Sequence, residues 1–232
     1  MPTRDDIDAC VFDAYGTLFD VTAAAQHCQD ALGEQWGTLA QIWRDKQLQY
    51  TWLRSLMDEY IPFWQVTSDA LDYALATLVI DDSDLRKRLL DIYYQLDAYP
   101  EVRDMLKTLK GAGLKTAILS NGSEDMLAAA VGNARIAGLL DGVLSVERTK
   151  IYKPHSSVYQ MAVDDLGVAK ERIYFMSSNA WDACAAANFG FRVVWVNRFG
   201  QAQERIPGRQ EAEIKDFPNS RLFSAFDERG IT

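Results

Sequence analysis

Histidine is scarce in this chain: His27 and His155 are the two present, and they stand far apart. A histidine-based metal site or a Ser-His-Asp triad is therefore disfavoured, because each sets its histidine beside fixed partners. Cysteine is nearly as scarce. Cys10, Cys28 and Cys184 are odd in number and unequally spaced. They fit neither a disulfide frame nor a zinc pattern, and read as small core-filling thiols. Positive charge is short too: 24 Lys and Arg face 33 Asp and Glu, a net charge of -9, with no basic cluster. That balance argues against nucleic acid or an anionic membrane as partner. No apolar run reaches the roughly eighteen residues of a membrane span, and no apolar segment follows a basic start. The expectation is a soluble, cytoplasmic protein without low-complexity segments.

What is present is apolar content, 48% of 232 residues, enough for a sizeable core in one large domain or two small ones. The chain is organised around Cys10-Val11-Phe12-Asp13-Ala14-Tyr15-Gly16-Thr17-Leu18. Ala9 to Phe12 reads as a buried strand. It stops at Asp13, and Gly16 and Thr17 suit a tight turn beyond it. A carboxylate leaving the C-terminal end of a buried strand lies where open α/β sheets place their ligand crevice. Such a group can act as a covalent nucleophile or can simply cap its own turn.

After this strand the pattern is helical for about 75 residues and rich in aromatics. Val21 to Leu32 is an Ala-rich helix, and Gly33 and Gly37 bracket a break. Thr38 to Met57 follows, with Leu39, Ile42, Trp43, Leu53 and Leu56 at helical spacing. Pro62 breaks the chain again. Helices from Ser68 to Thr77 and from Ser83, read as an N-cap, to Tyr94 complete the block. From Pro100 the pattern alternates. The expected helices are Val102 to Ala112, closed by Gly113, then Glu124 to Ala134, Ser156 to Leu166 and Ala180 to Phe189. Between them run strands Lys115 to Leu119, Gly142 to Ser145, Ile173 to Met176 and Arg192 to Val196. Repeated β-α units imply a parallel sheet with helices on both faces, and the helical block becomes a cap over its C-terminal edge. The tail after Phe199 shows no clear pattern.

Asp13, Ser120 and Ser177 all close short apolar strands, so a parallel sheet brings them to one edge, with Lys153 in a loop there. The order Asp-x-x-x-Thr, strand-end Ser, Lys-Pro and strand-end carboxylate resembles the four motifs of the haloacid-dehalogenase superfamily. More narrowly, the chain is similar to the L-2-haloacid dehalogenases over essentially its whole length. The stretches that carry this are Phe12 to Leu18, Trp43-Arg44, Tyr50 to Met57, Leu119 to Ser123, Tyr152-Lys153-Pro154 and Ser177 to Asp182. The resemblance implies a Rossmann-like core, residues 1–19 with 98–232, and an inserted all-helical cap, residues 20–97.

The resemblance also implies roles. Asp13 attacks C2 of an L-2-haloalkanoic acid and becomes esterified, with Lys153 holding it ionised. Ser120 and backbone N–H groups near Ala14 and Asn121 cradle the substrate carboxylate. Arg44 and Asn121 receive the departing halide. Asp182 and Asn179 position or activate the hydrolytic water, and Lys153 and Ser177 orient Asp182. Thr17 belongs to the catalytic turn. Tyr15, Leu48, Phe63 and Trp181 wall the alkyl group, and Tyr159 hydrogen-bonds within the site. Neither metal nor cofactor is expected. The chain departs from the family at Asp45, where relatives usually carry Gln. Asp45 is expected to pair with Arg44 and weaken its pull on an anion.

A magnesium-dependent phosphatase of the same superfamily is the alternative. Those enzymes carry a second Asp where this chain has Tyr15, and an acid near Ser177-Ser178. Losing both the general acid and a metal ligand argues against phosphoryl transfer. A non-catalytic binding protein is the third reading, and the presence of Asp13, Lys153 and Asp182 weighs against it. Tyr50 to Met57 has two roles open, a homodimer face or packing within the cap.

Overall fold

Four consecutive apolar residues make strand β1 (Ala9–Phe12), and all four are buried. Continuous apolar runs suit strands covered on both faces, as in parallel sheets. The computed structural model describes residues 7–21 and 32–217. The strands β2 (Lys115–Ser120), β3 (Gly142–Ser145), β4 (Ile173–Ser177), β5 (Arg192–Val196) and β6 (Ala212–Ile214) join β1. They form one six-stranded sheet in the order β3-β2-β1-β4-β5-β6. Every pairing is parallel. The strand order reverses beside β1, the topological position where such sheets bind ligands.

Register does the positioning. Phe12 stands level with Ile118 of β2 and Met176 of β4. Asp13 therefore leaves the sheet beside Ser177, and its N–H donates to the Met176 carbonyl at 2.9 Å. Helices α4 (Val102–Gly111), α5 (Glu124–Asn133), α6 (Ser156–Leu166) and α7 (Ala180–Phe189) pack on the sheet.

The helical block holds α1 (Trp36–Met57), α2 (Phe63–Thr77) and α3 (Ser83–Asp91). The buried line of α1 is Leu39, Trp43, Gln47 and Thr51, a strict i, i+4 row. Leu53 and Leu56, expected on that row, are instead exposed, together with Met57. The row is continued by two polar residues, which an apolar-spacing argument skips. Helix α2 starts at Phe63 rather than Ser68, with Pro62 as its N-cap. Proline suits the head of a helix, where its fixed φ fits and its missing N–H is no loss. The cap of α3 is Asp82, not Ser83: its side chain accepts from the N–H groups of Asp84 and Leu85.

The two crossings between block and sheet are bonded to each other. Asp20 N–H donates to Asp97 O and Tyr99 N–H to Leu18 O, each at 2.9 Å. Phe19 and Ala98 form an antiparallel bridge between them. Strand β6 lies in the tail that the sequence left unplaced. The expected helix from Val21 to Leu32, and with it His27 and Cys28, lies outside the described residues except at its two ends. Among the described residues, no helix is long and apolar enough to cross a membrane.

Candidate active site

Lys153 enters the site from the loop before α6, and its side chain is 1% exposed. Its Nζ donates to Asp13 Oδ1 at 3.1 Å and to Asp182 Oδ2 at 2.8 Å. Burial alone pushes the ammonium's pKa down, yet the two carboxylates and their hydrogen bonds outweigh it and the value is raised. Lys153 therefore stays charged at neutral pH. Asp182, fully buried, moves upward chiefly through burial, against the pull of Lys153. The Tyr159 hydroxyl donates to its other oxygen, Oδ1, at 2.7 Å. Burial, then the neighbouring Asp182, raises the Tyr159 pKa well above its ordinary range, so it remains a neutral donor.

The second oxygen of Asp13 faces three donors. Asn179 Nδ2 reaches Oδ2 at 2.8 Å, with Thr17 Oγ1 at 3.4 Å and Ser177 Oγ at 3.5 Å. Ser177 also accepts the Asn179 N–H at 3.1 Å. Ser177 thus serves Asp13 and the Asn179 loop, and Tyr159 takes the place on Asp182 expected for it. The Ser178 N–H donates to Thr17 Oγ1 at 2.8 Å, stitching the two strand-end loops together. Gly16 sits there at φ +79°, and a Cβ on it would stand 3.2 Å from Ser178 Oγ.

Ser120 Oγ accepts the Gly122 N–H at 3.1 Å, and Asn121 Oδ1 accepts the Lys153 N–H at 3.0 Å. Tyr15 packs over this loop so closely that a Cβ on Gly122 would lie 2.8 Å from the Tyr15 hydroxyl. Burial first, then Tyr93 and Asp13, raises the Tyr15 pKa well above its ordinary range. The ring stacks on Phe63 of α2, centroids 6.3 Å apart. Trp181 meets Trp52 of α1 edge to face at 5.5 Å. Ala14 is fully buried at the strand end. Leu48 is half-buried, one helical turn beyond Arg44 on α1.

Arg44 is the helical block's contribution across the cleft. Its Nη2 donates to Asn179 Oδ1 at 2.9 Å and its Nη1 to Gln47 Oε1 at 2.7 Å. The expected pairing with Asp45 does not form: Asp45 accepts from Gln41 Nε2 at 2.8 Å on the exposed face of α1. On a helix, adjacent residues point in different directions, while i and i+4 share a face. A cavity of about 370 Å³ opens beside this contact, lined by Tyr15, Trp36, Arg44, Asn179 and Phe199 among others. Among the described residues, no group of three His, Cys, Asp or Glu side chains is arranged to hold a metal ion.

Gln47 and Tyr93 stand outside the residues expected in the site. The available signal for Gln47 was an amide set on the same helical row as Leu39 and Trp43. Tyr93 gave no signal apart from its aromatic surroundings.

This geometry can be set beside known proteins. A haloacid dehalogenase-like hydrolase family profile matches residues 7–190. The chain is 48% identical over 202 residues to (S)-2-haloacid dehalogenase 1 of Pseudomonas sp. (strain CBS-3), covering 86% of this chain and 88% of that one. It is 46% identical over 201 residues to (S)-2-haloacid dehalogenase 4A of Burkholderia cepacia, covering 86% and 87%. Its fold matches that of L-2-haloacid dehalogenase from Xanthobacter autotrophicus with chloropropionic acid covalently bound. The TM-score there is 0.84 at 35% identity, over 97% of this chain and 100% of that one. The chain belongs to the haloacid dehalogenase-like hydrolases, and within them to the group of the (S)-2-haloacid dehalogenases.

Proposed function

We propose that this protein hydrolyses L-2-haloalkanoic acids to D-2-hydroxyalkanoic acids through an ester on Asp13. The observation that carries the reading is the buried array in which Lys153 stands between Asp13 and Asp182. Asp13 attacks C2 from the side opposite the halogen, forming a C–O bond as the C–X electron pair leaves with the halide. The covalent chloropropionic acid in the Xanthobacter autotrophicus enzyme supports the same route for this chain.

The substrate brings its own carboxylate, which Asp13 repels. Neutral donors are needed, and Ser120 with the backbone near Ala14 and Asn121 supplies them in this proposal. Arg44 receives the halide, helped by Asn121. Charge that appears only as the bond breaks is where such donors lower the barrier. Tyr15, Leu48, Phe63 and Trp181 wall the alkyl group, a role supported by the Tyr15–Phe63 stack.

In the second half, water adds to the Asp13 carboxyl carbon, and the alkoxide leaves as the hydroxy acid. Asp182 takes the proton from that water and returns it to the departing alkoxide, and the proton left on the Asp13 carboxyl goes to solvent. The raised pKa of Asp182 makes it a stronger base, and the bonds from Lys153 and Tyr159 fix its direction. Asn179 and Thr17 hold Asp13 through both steps, with Ser177 fixing the Asn179 loop. Substitution inverts C2 once and ester hydrolysis leaves it alone.

We take residues 1–19 with 98–232 as the core and 20–97 as the cap, a division supported by the paired crossings at Phe19 and Ala98. The exposed Leu53, Leu56 and Met57 favour a homodimer, and the free buried Cys10 and Cys184 fit a reducing, cytoplasmic setting. The test is halide release from L- and D-2-chloropropionate, each with and without EDTA. Release from the L form alone, unchanged by chelation, is the expected result. Turnover of the D form, or none of either, overturns the reading.

A further inference from the structure

Gln47 carries a side-chain amide into the interior of the helical block, where it is 0% exposed. Its row on α1 is otherwise begun by Leu39 and Trp43. A buried amide is costly unless its donors and acceptor are paired, and this one is paired on both ends. Nε2 donates to Thr67 Oγ1 on α2 at 2.8 Å and to Tyr93 Oη at 3.1 Å. With the amide nitrogen committed to those partners, Oε1 is left facing one way. It accepts from Arg44 Nη1 at 2.7 Å.

The other side of the guanidinium reaches Asn179, which itself donates to Asp13. A continuous chain of hydrogen bonds thus runs from Tyr93 and Thr67 through Gln47, Arg44 and Asn179 to Asp13. Both oxygens bonded to Arg44 belong to neutral amides, and the neighbouring Asp45 is turned away to Gln41. An amide holds a guanidinium in place without cancelling its charge. A carboxylate at the same spot would hold it as well and neutralise it.

We infer that Gln47 is a positioning residue: it aims Arg44 across the cleft and leaves its full charge for the departing halide. The inference rests on the dehalogenase reading proposed above. Gln47 itself touches no reacting atom.

The test is a double-mutant cycle on halide release, run on L-2-chloro-, L-2-bromo- and L-2-iodopropionate. Gln47→Leu is expected to lower kcat/KM on the chloro acid by about 10–100-fold, the scale of loss met when a partner orienting a metal ligand is removed. The loss should shrink from chloride to iodide, because the better leaving group needs less help. In an Arg44→Ala background the same change should cost almost nothing further, since its target is gone. Equal losses on all three halides, or full additivity with Arg44→Ala, overturn the inference while the dehalogenase reading stands. No halide release from the unaltered protein overturns both. Should Gln47→Leu fail to fold, Gln47→Glu carries the test. Thr67 and Tyr93 can donate to its carboxylate, so the network stays paired while Arg44 is neutralised. The same halide-dependent loss is expected there, and wild-type turnover in that variant overturns the inference.

Discussion

Tyr159 donates its hydroxyl proton to Asp182 Oδ1 at 2.7 Å, joining α6 to α7 beneath the sheet edge. Removing that hydroxyl leaves a buried carboxylate oxygen unpaired, which costs about 1–3 kcal/mol of stability. The bond also fixes one oxygen of Asp182, and its loss frees the carboxylate to turn away from the Asp13 ester. Tyr159→Phe is expected to slow ester hydrolysis more than ester formation. Mass spectrometry of the Asp13 peptide after mixing with substrate should then find the ester accumulating, with a burst of halide ahead of slow turnover. Unaltered steady-state kinetics would remove Asp182 from the hydrolytic step.

Lys153 links stability to alkaline pH. Its pKa in the folded state lies above its ordinary 10.5, so the fold holds that proton more tightly than the unfolded chain does. Its contribution is fully present below 10.5 and is lost as pH rises through the folded value. Asp182 has the same sign at the acid end: its raised pKa favours the fold below 3.8, and that help is gone at neutral pH. Lys153→Met leaves two buried carboxylates without their shared cation, a change that typically costs about 3–5 kcal/mol. Thermal denaturation from pH 8 to 12 should give a falling Tm for the native protein and a flatter, lower curve for the variant.

Chelation is expected to leave halide release within about twofold of its starting rate. An ammonium held at 3.1 and 2.8 Å from the two carboxylates opposes a second positive charge between them. Activity lost to EDTA and restored by magnesium would return the phosphatase to consideration.

The origin of the product oxygen separates covalent catalysis from direct attack by water. A single turnover in oxygen-18 water, with enzyme in excess, should give an unlabelled hydroxy acid and a labelled Asp13 peptide. Later turnovers should label the product. Direct attack on C2, with Asp13 or Asp182 as base, reverses the first result. It inverts C2 as well, so stereochemistry cannot replace the isotope.

Asp45 is predicted to matter little. Its bond to Gln41 lies on the exposed face of α1, and such surface contacts are typically worth about 0–1 kcal/mol. Asp45→Asn should keep kcat/KM within about twofold, in contrast to the loss expected at Gln47. A large gain in the Asn variant would mean that Asp45 does restrain Arg44 in solution.

The core was legible where strand and helix periods were long and clean. Strands β1 to β5 announced themselves as apolar runs ending at Asp13, Ser120, Ser145, Ser177 and Val196, so topology brought Asp13, Ser120 and Ser177 to one edge with Lys153, while Asp182 was placed there by the family resemblance. Strand β6 did not, because three residues at a sheet edge have too short a pattern to detect. Within α1 the apolar spacing named Leu53 and Leu56 as inward, but packing against α2 selected the row through Gln47 and Thr51. Polar residues buried for their hydrogen bonds are invisible to a hydropathy pattern. The same blindness hid Tyr159 as the partner of Asp182, a contact fixed only when α6 and α7 are laid side by side.

The bonded crossings at Phe19 and Ala98 have a kinetic side. Two tethers that bend separately would let the helical block drift in several directions. Two tethers zipped into one ribbon at Phe19 and Ala98 act as one joint, which restricts the block more than two separate strands do. A rocking at that joint would part Arg44 from Asn179 and Trp52 from Trp181 together, because both contacts cross from α1 to the loop and helix after β4. On the proposed reading, one such opening would serve both entry of a haloacid and exit of halide and hydroxy acid, and Arg44 would travel with it.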